Sequence, residues 1–307
     1  MEDFDSILLI AFGGPTRREE IRPFLENVAR GRRIPPVRLE EVAHHYDLIG
    51  ARSPLNEITF RQADGLRAAL REDGSSLDVY VGMRNWTPYL HETLARMKGD
   101  GRRRALGVIL SAQQSEAGWT RYQQDVDAAR AQIDGATVVE FAGEWHDHPR
   151  FIEAMTANVA EAFACMPDDR RIDVPLVFTA HSVPTSMAAT SPYVEQLNEG
   201  CRLVADQLGH PPWTLAYQSR SGSPQEPWLE PDICDVIRDL AAKGARELVV
   251  APIGFVCDHA EVLYDLDIEA RQVAEGLGMR FSRAATVNDH PAFIRMLADV
   301  VRKHTAK

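Results

Sequence analysis

Short apolar segments alternate with longer helical patterns along almost the whole chain, and this alternation most constrains the fold. The short segments are rich in aliphatic and branched residues, as buried parallel strands are. Such alternation predicts an α/β fold, with parallel sheets that helices cover on both faces. The predicted strands are Ile7–Ala11, Asp78–Gly82, Ala105–Leu110, Thr137–Phe141, Pro175–Ala180, Thr214–Gln218 and Glu247–Pro252.

The strand–helix pattern runs twice, with four predicted strands before about residue 142 and three or four after it. The length of 307 residues also suits two domains of about 150 residues each. We therefore predict two doubly wound parallel-sheet domains of similar topology, residues 1–142 and 143–307, packed with a cleft between them.

Composition excludes several classes of protein. The net charge of −11 argues against a general nucleic-acid binder. No apolar run approaches the roughly 18 to 20 residues that a membrane span needs. The acidic start Met-Glu-Asp-Phe-Asp has no basic region of a secretory signal, so we expect a cytoplasmic protein. The four cysteines form no C-x-x-C pair and are expected to be buried, reduced thiols.

In open α/β sheets, ligands bind beyond the carboxyl ends of the strands. Gly13 and Gly14 follow the first strand, as a tight turn or as backbone that lets a flat ligand approach closely. They form neither G-x-G-x-x-G nor a P-loop, so a nucleotide-dependent enzyme is disfavoured. His181 follows another strand, where it is either a loop-capping residue or a metal ligand or general base.

Three carboxylates, Glu261, Asp265 and Glu269, recur every four residues in a predicted helix, His259–Glu275. This spacing places them on one helical face, where like charges repel one another. The face is either a solvated acidic surface or a row that passes divalent cations or protons toward His181.

Other residues have weaker signals. Trp145 and Trp228 are core aromatics or flat walls for a ring ligand. Tyr46, Ser53 and Tyr122 carry hydroxyls in predicted loops or helix ends. A local basic stretch suits an anionic ligand; its residues are Arg30, Arg32, Arg33 and Arg38.

Several segments together resemble the ferrochelatase family. The segments are LLIAFGGP, HHYDLIGARSPLNEIT, YVGMRNWTPYL, TAHSVP, YQSRSGSPQEPWLEPD and PIGFVCDHAEVLYDLDIE, which occur in the family's order and span nearly the whole chain. The TAHSVP and D-H-x-E-x-L-Y-x-x-D motifs are the most specific. The resemblance implies a Rossmann-like, chelatase-type fold of two domains, with the active site in the cleft.

The resemblance implies a lyase-class chelatase that inserts ferrous iron into a porphyrin. It makes His181 and Glu261 the catalytic, metal-facing pair and places Asp265 and Glu269 behind them on the metal path. It gives the porphyrin a set of contacts: Phe12, Arg30, His45, Tyr46, Ser53, Arg84, Tyr122 and Trp228.

The basic stretch resembles the branch of the family that uses coproporphyrin III, whose four carboxylates suit arginine side chains. Relatives that ligate product iron through a tyrosine carry it where this chain has Phe12, which lacks a donor atom. The position of an internal cluster cysteine is Ala154, so we expect no iron–sulfur cluster and no organic cofactor, with Fe²⁺ as a substrate.

These observations are consistent with four hypotheses about the function. The first is the coproporphyrin III ferrochelatase, and the second is a protoporphyrin IX ferrochelatase. The third is a carrier that binds a tetrapyrrole without turnover, against which the carboxylate row argues. The fourth inserts cobalt or nickel into another tetrapyrrole. We expect a monomer without nucleic-acid partners; the proteins that donate iron or accept the product are not identifiable from the sequence.

Overall fold

A computed structural model describes residues 3–31, 35–166, 173–210, 212–221 and 225–305. Its strands are β1 Ser6–Ala11, β2 Asp78–Met83, β3 Arg104–Ile109, β4 Val138–Phe141, β5 Leu176–His181, β6 Trp213–Gln218, β7 Glu247–Ala251 and β8 Arg280–Arg283. Its helices are α1 Arg18–Val28, α2 Pro36–Leu48, α3 Leu55–Glu72, α4 Leu90–Gly99, α5 Arg121–Arg130, α6 Pro149–Ala164, α7 Thr185–Ala189, α8 Tyr193–Leu208, α9 Ile233–Ala242, α10 Ala260–Leu263, α11 Arg271–Gly276 and α12 Pro291–Thr305. Two further segments are π-helical, Glu116–Thr120 and Asp265–Ala270.

The described residues form two compact units, each built on one four-stranded sheet. The strand order is β2-β1-β3-β4 in the N-terminal unit and β6-β5-β7-β8 in the C-terminal unit. Every neighbouring pair is parallel. The predicted fold class, two similar parallel α/β domains, is confirmed.

The units do not divide the chain at a single point. The N-terminal unit comprises the chain up to Ser111, Ala117–Glu144 and the chain from Asp289 onward. The C-terminal unit comprises Ala112–Glu116 and Trp145–Asn288.

The C-terminal helix α12 packs against α3 and belongs to the N-terminal unit. The predicted domains 1–142 and 143–307 had placed this helix in the C-terminal domain. Its Ile294 lies against Gly65 of α3, where an added Cβ would lie only 3.0 Å from the Ile294 side chain. The glycine therefore provides the space that docks the last helix on this unit.

The seven predicted strands are confirmed. The structure has an eighth strand, β8, that was not predicted. Residues Ile7–Ile10 of β1 are completely buried, as the unbroken aliphatic run predicts for a central strand covered on both faces. Strand β8 reads Arg-Phe-Ser-Arg and lies at a sheet edge, where only Phe281 is buried. Its composition therefore carries no strand signal.

The predicted helix His259–Glu275 consists of three segments: α10, the π-helical segment and α11. In the π-helical segment, the backbone N–H of Glu269 donates to the carbonyl of Tyr264, five residues earlier, at 2.9 Å. Such π segments are rare and occur frequently at functional sites. This one carries Asp265 and Glu269.

Within the described residues, no helix combines the length and the apolar character that crossing a membrane requires.

Candidate active site

His181 is the last residue of β5, and the strand ladder holds its backbone. Its carbonyl accepts a hydrogen bond from the hydroxyl of buried Tyr193 at 2.9 Å. The next N–H, that of Ser182, donates to the carbonyl of Gln218 on β6 at 2.8 Å. Such placement at the carboxyl end of a central parallel strand is where α/β sheets present ligand-binding residues.

The ring of His181 has a defined tautomer when neutral. Its Nδ1 is hydrogen-bonded to the carbonyl of Ser182. A carbonyl oxygen only accepts hydrogen bonds, so Nδ1 carries the proton and Nε2 presents a lone pair. Nε2 is the atom that faces Glu261, with 3.7 Å between it and Oε1. This atom is therefore available to accept a proton or to bind a metal ion.

The pKa values of this pair move in opposite directions. Burial is the largest single cause and lowers the pKa of His181, but the Glu261 carboxylate, the Ser182 carbonyl and Asp265 together outweigh burial and raise that pKa above its usual value. Burial raises the pKa of Glu261, but His181, with a smaller contribution from His259, outweighs burial and lowers that pKa. The side chains are 28% and 47% exposed, so the pair is reachable from solvent. The charged pair favours a proton on His181 and a carboxylate at Glu261.

Asp265 behaves differently from Glu261. Burial is the largest cause that raises its pKa, to about 7, and the nearby carboxylates Glu261 and Glu269 add to the rise. A hydrogen bond from the Ser219 hydroxyl partly offsets these effects. Asp265 therefore exchanges a proton near neutral pH, where an ordinary aspartate stays ionised.

Backbone hydrogen bonds orient the start of the carboxylate row. The side-chain amide of buried Gln218 donates to the carbonyl of Glu261 at 2.7 Å. The N–H of Glu261 donates to Nδ1 of His259, which caps α10, at 3.2 Å. Sequence reasoning missed Gln218, Ser219 and His259 as supports, although Gln218 ends a predicted strand, Ser219 follows that strand and His259 lies in the D-H-x-E-x-L-Y-x-x-D motif.

Among the residues that the structure describes, no group of three or more His, Cys, Asp or Glu side chains is arranged to hold a metal ion. His181 and Glu261 offer only two donor groups. An imidazole and one carboxylate bind Fe²⁺ without enclosing it.

The N-terminal unit places an aromatic cluster at the equivalent sheet end. We call Phe12, Phe24, Tyr46 and Trp86 the aromatic cluster. The Phe24 ring contacts the other three edge-on, with ring centroids 6.4, 6.2 and 6.0 Å away, respectively. Phe12 remains 37% exposed while Tyr46 is buried, so the cluster presents one open ring to ligands. Such surfaces suit flat, apolar ring systems.

Glu20 fastens this cluster to the loop after β1. One carboxylate oxygen accepts hydrogen bonds from the Trp86 indole at 2.9 Å and from the Thr16 N–H at 2.9 Å. Gly13 has a φ of +85°, and a Cβ there would lie 2.9 Å from the backbone nitrogen of Trp86. Both loop conformation and close approach therefore require glycine at this position. Phe24, Trp86 and Glu20 were missed by sequence reasoning, since each resembles an ordinary core or helix residue.

Arg84 follows β2 and is held by two contacts. Its guanidinium pairs with Asp125 and lies over the Tyr122 ring, 4.4 Å from the centroid. The Arg84 side chain is only 12% exposed, so the positive charge is held in one position. A cation fixed in this manner recognises an anionic group more strongly than a mobile surface lysine does.

The remaining predicted contacts have varied settings. Ser53 is buried against Gly14, where an added Cβ would lie 3.0 Å from the Ser53 hydroxyl. Arg30 is exposed, and half-buried His45 has a pKa lowered by burial and by Arg38. Two arginines of the basic stretch lie outside the described residues: Arg32 and Arg33.

Trp228 lies in the C-terminal unit, beside the segment that follows His181. It pairs with Pro184 in an antiparallel bridge. Its indole nitrogen is buried without a hydrogen-bond partner in the structure. Trp228 therefore belongs to the same unit as His181.

Comparison with known proteins decides the family. The sequence profile described as Ferrochelatase matches residues 5–305. The chain belongs to the ferrochelatase family. It is 42% identical to the ferrochelatase of Rhodopirellula baltica over 99% of this chain and 87% of that protein. It is 43% identical to the coproporphyrin III ferrochelatase of Streptomyces coelicolor, over 97% of this chain and 84% of that protein. The coproporphyrin III ferrochelatase of Mycolicibacterium paratuberculosis is 45% identical, over 97% and 88%.

Solved structures agree on the fold of this ferrochelatase-family chain. SirB from Bacillus subtilis with Fe³⁺ superposes with a TM-score of 0.60 at 10% identity, over 98% of this chain and 95% of that one. The sirohydrochlorin chelatase SirB in complex with cobalt gives a TM-score of 0.58 at 9% identity, over 98% and 94%. At such identities the likeness establishes a chelatase-type fold.

Proposed function

We propose that this chain is a lyase-class chelatase that inserts ferrous iron into coproporphyrin III. The observation that carries the proposal is the approach of His181 Nε2 to Glu261 Oε1, 3.7 Å, in a chain of the ferrochelatase family. The resemblance of TAHSVP and D-H-x-E-x-L-Y-x-x-D to the family's motifs implies that both residues face the metal.

Insertion requires that two pyrrole N–H protons leave the ring while iron exchanges water for ring nitrogens. Neutral His181 accepts one pyrrole proton at a time on its single Nε2 lone pair and passes that proton on before it takes the second. The neighbouring carboxylate of Glu261 strengthens it as a base. Glu261 and His181 together desolvate an arriving Fe²⁺ without trapping it.

Asp265 is the next acceptor along the row. Because its pKa lies at about 7, it takes up and releases protons at the pH of a neutral solution. Glu269 is exposed at the far end of the π-helical segment and adds negative charge that attracts cations. We infer that the row conducts protons outward or iron inward.

The porphyrin ring is bound through the aromatic cluster and Arg84. Open Phe12 offers ring contact, and the fixed Arg84 guanidinium offers a positive charge to a propionate. Binding energy at the propionates supplies a ring distortion of order 1–5 kcal/mol, which tilts N–H bonds and lone pairs out of the ring plane.

Two observations support coproporphyrin III over protoporphyrin IX. Relatives 42–45% identical to this chain carry the name coproporphyrin III ferrochelatase. The segment around exposed Arg30 is basic, which suits four ring carboxylates better than two.

We propose that no organic cofactor and no iron–sulfur cluster take part. Three of the four cysteines are buried, and burial raises the pKa of Cys234 and of Cys257 to about 12, which keeps them as thiols rather than cluster-binding thiolates. We further propose a monomer in the cytoplasm.

The test is anaerobic insertion. Purified chain is mixed with Fe²⁺ and either coproporphyrin III or protoporphyrin IX, and the Soret and visible bands are followed. We expect fast conversion of coproporphyrin and slow conversion of protoporphyrin. The reverse preference would contradict the substrate assignment alone. Binding of both porphyrins without insertion of iron would show a carrier, and preference for Co²⁺ or Ni²⁺ would show a different chelatase.

A further inference from the structure

Arg283 is a buried cation that the chemistry above does not use. It ends the edge strand β8, and its side chain is only 11% exposed. A buried guanidinium is costly unless carboxylates and hydrogen bonds satisfy it. Arg283 has such partners on two separate elements.

The first partner is Asp267, in the π-helical segment. Arg283 Nε donates to Asp267 Oδ1 at 2.8 Å, and a terminal nitrogen donates to Oδ2 at 2.7 Å. This two-pronged geometry fixes orientation as well as distance. Asp267 lies two residues after Asp265, so the contact holds the segment that carries the second carboxylate of the row.

The second partner is Asp258, in the loop before α10. The other terminal nitrogen of Arg283 lies 3.1 Å from Asp258 Oδ1. Thr286 and Asn288 also donate to the Asp258 carboxylate, at 3.2 and 3.3 Å. Asp258 lies three residues before Glu261, so the contact holds the start of the row.

Both held segments resist their observed arrangement. Glu261, Asp265 and Glu269 recur every four residues, a spacing at which like charges repel one another. The π-helical segment is itself a rarely populated form of helix. One fixed cation bound to both segments counteracts their separation.

We propose that Arg283 is a positioning residue that sets the spacing between Glu261 and Asp265, by clamping Asp258 and Asp267 together. This role rests on the proposed function, since it concerns the path of the inserted iron. Arg283 touches neither reacting atoms nor His181 in the described structure. Its removal should therefore lower kcat/KM for Fe²⁺ and leave porphyrin binding by the N-terminal unit unchanged.

The experiment compares Arg283→Met and Arg283→Lys with Arg271→Met. Arg271 is the matched control, because it also lies near Asp267, at 3.6 Å, but makes no described contact with Asp258. Each variant is assayed well below its unfolding temperature for kcat, for KM of Fe²⁺ and for the equilibrium Kd of coproporphyrin III.

For Arg283→Met we expect kcat/KM for Fe²⁺ to fall roughly 10- to 100-fold, the usual cost of losing a partner behind the metal-facing groups. The porphyrin Kd should change less than twofold. Arg283→Lys keeps the positive charge but cannot donate two parallel hydrogen bonds to Asp267, so its decrease in kcat/KM for Fe²⁺ should be intermediate. Arg271→Met should stay within about twofold of wild type throughout.

Several results would overturn the inference. Equal loss in Arg283→Met and Arg271→Met, or a porphyrin Kd that weakens as much as the use of Fe²⁺, would show a general structural role. If Arg283→Met does not fold, Arg283→Lys and Asp267→Asn carry the same test, and wild-type values in both would refute the clamp. A wild-type chain that inserts no iron would instead contradict the proposed function.

Discussion

The two units have the same strand order but place different chemistry at the same position. In each sheet the second strand of the order, β1 or β5, pairs with both of its neighbours. Beyond β1 comes Phe12, half open to solvent in an aromatic cluster, whereas β5 ends in the titratable His181. The paired strands differ likewise, since Arg84 follows β2 and Ser219 follows β6.

The comparison shows that the strand order determines where in each unit a ligand site lies, whereas the side chains determine its chemistry. In the proposed function, the rings and the fixed guanidinium of the N-terminal unit bind and orient the porphyrin. The imidazole and the carboxylates of the C-terminal unit, whose pKa values are shifted, are proposed to move protons and metal ions. We therefore assign porphyrin binding to the sheet end of the N-terminal unit and metal insertion to the sheet end of the C-terminal unit.

The largest effect is expected at the chemical end. His181→Ala removes the lone pair that accepts pyrrole protons, so we expect insertion of Fe²⁺ to fall at least 100-fold, as loss of a general base does. The measurement is the anaerobic insertion rate. His304→Ala in α12 is the control and should match wild type. Insertion above about a tenth of wild type in His181→Ala would refute the assignment.

At the binding end the expected loss is smaller and of another kind. Arg84→Met removes the charge held by Asp125 and Tyr122, so KM for coproporphyrin should rise about tenfold with little change in kcat, as loss of uniform binding does. Steady-state kinetics measure both. Arg96→Met, at an exposed arginine over the Tyr80 ring, should leave both constants unchanged. A decrease in kcat larger than the rise in KM would contradict the assignment of Arg84 to porphyrin binding alone.

Stability against pH separates the two ends in a second way. The folded pKa of Asp265, about 7, exceeds its ordinary 3.8, so its contribution to stability is fully present below the ordinary pKa and declines until pH 7. Asp265→Asn should therefore gain stability relative to wild type between pH 4 and 7, by roughly 1–3 kcal/mol at pH 8 after allowance for partial exposure.

Thermal unfolding at pH 4, 6 and 8 measures this gain. Asp239→Asn, at an exposed aspartate of α9, should show no such trend. A gain for Asp265→Asn that is the same at every pH would mean that Asp265 has an ordinary pKa in the folded protein.

The smallest effect concerns the support of the aromatic cluster. Glu20→Gln weakens the hydrogen bonds from Thr16 and Trp86, at a cost of about 1 kcal/mol in unfolding free energy. That cost corresponds to a Tm decrease of about 2–4 °C. Calorimetry measures it, with Glu19→Gln at the exposed neighbour as control. An unchanged Tm would show that Trp86 is held without Glu20.

Sequence patterns predicted the strands and the position of His181, because buried parallel strands consist of aliphatic runs. They did not predict β8, whose edge position leaves Arg280 in solvent. They also predicted an uninterrupted helix where the π-helical segment begins at Asp265, since hydrogen bonds to the fifth preceding residue have no residue signature. The supports Arg283 and Gln218 were missed because they act through contacts between distant segments.

The most direct test of the division between binding and chemistry is porphyrin binding by the variant without His181. Fluorescence titration gives the Kd of coproporphyrin III for wild type and for His181→Ala, in the absence of iron. We expect Kd values within about twofold of each other, although insertion of iron by His181→Ala falls at least 100-fold. A Kd weakened in proportion to the lost insertion would contradict this division, because His181 would then bind the ring rather than carry out the chemistry.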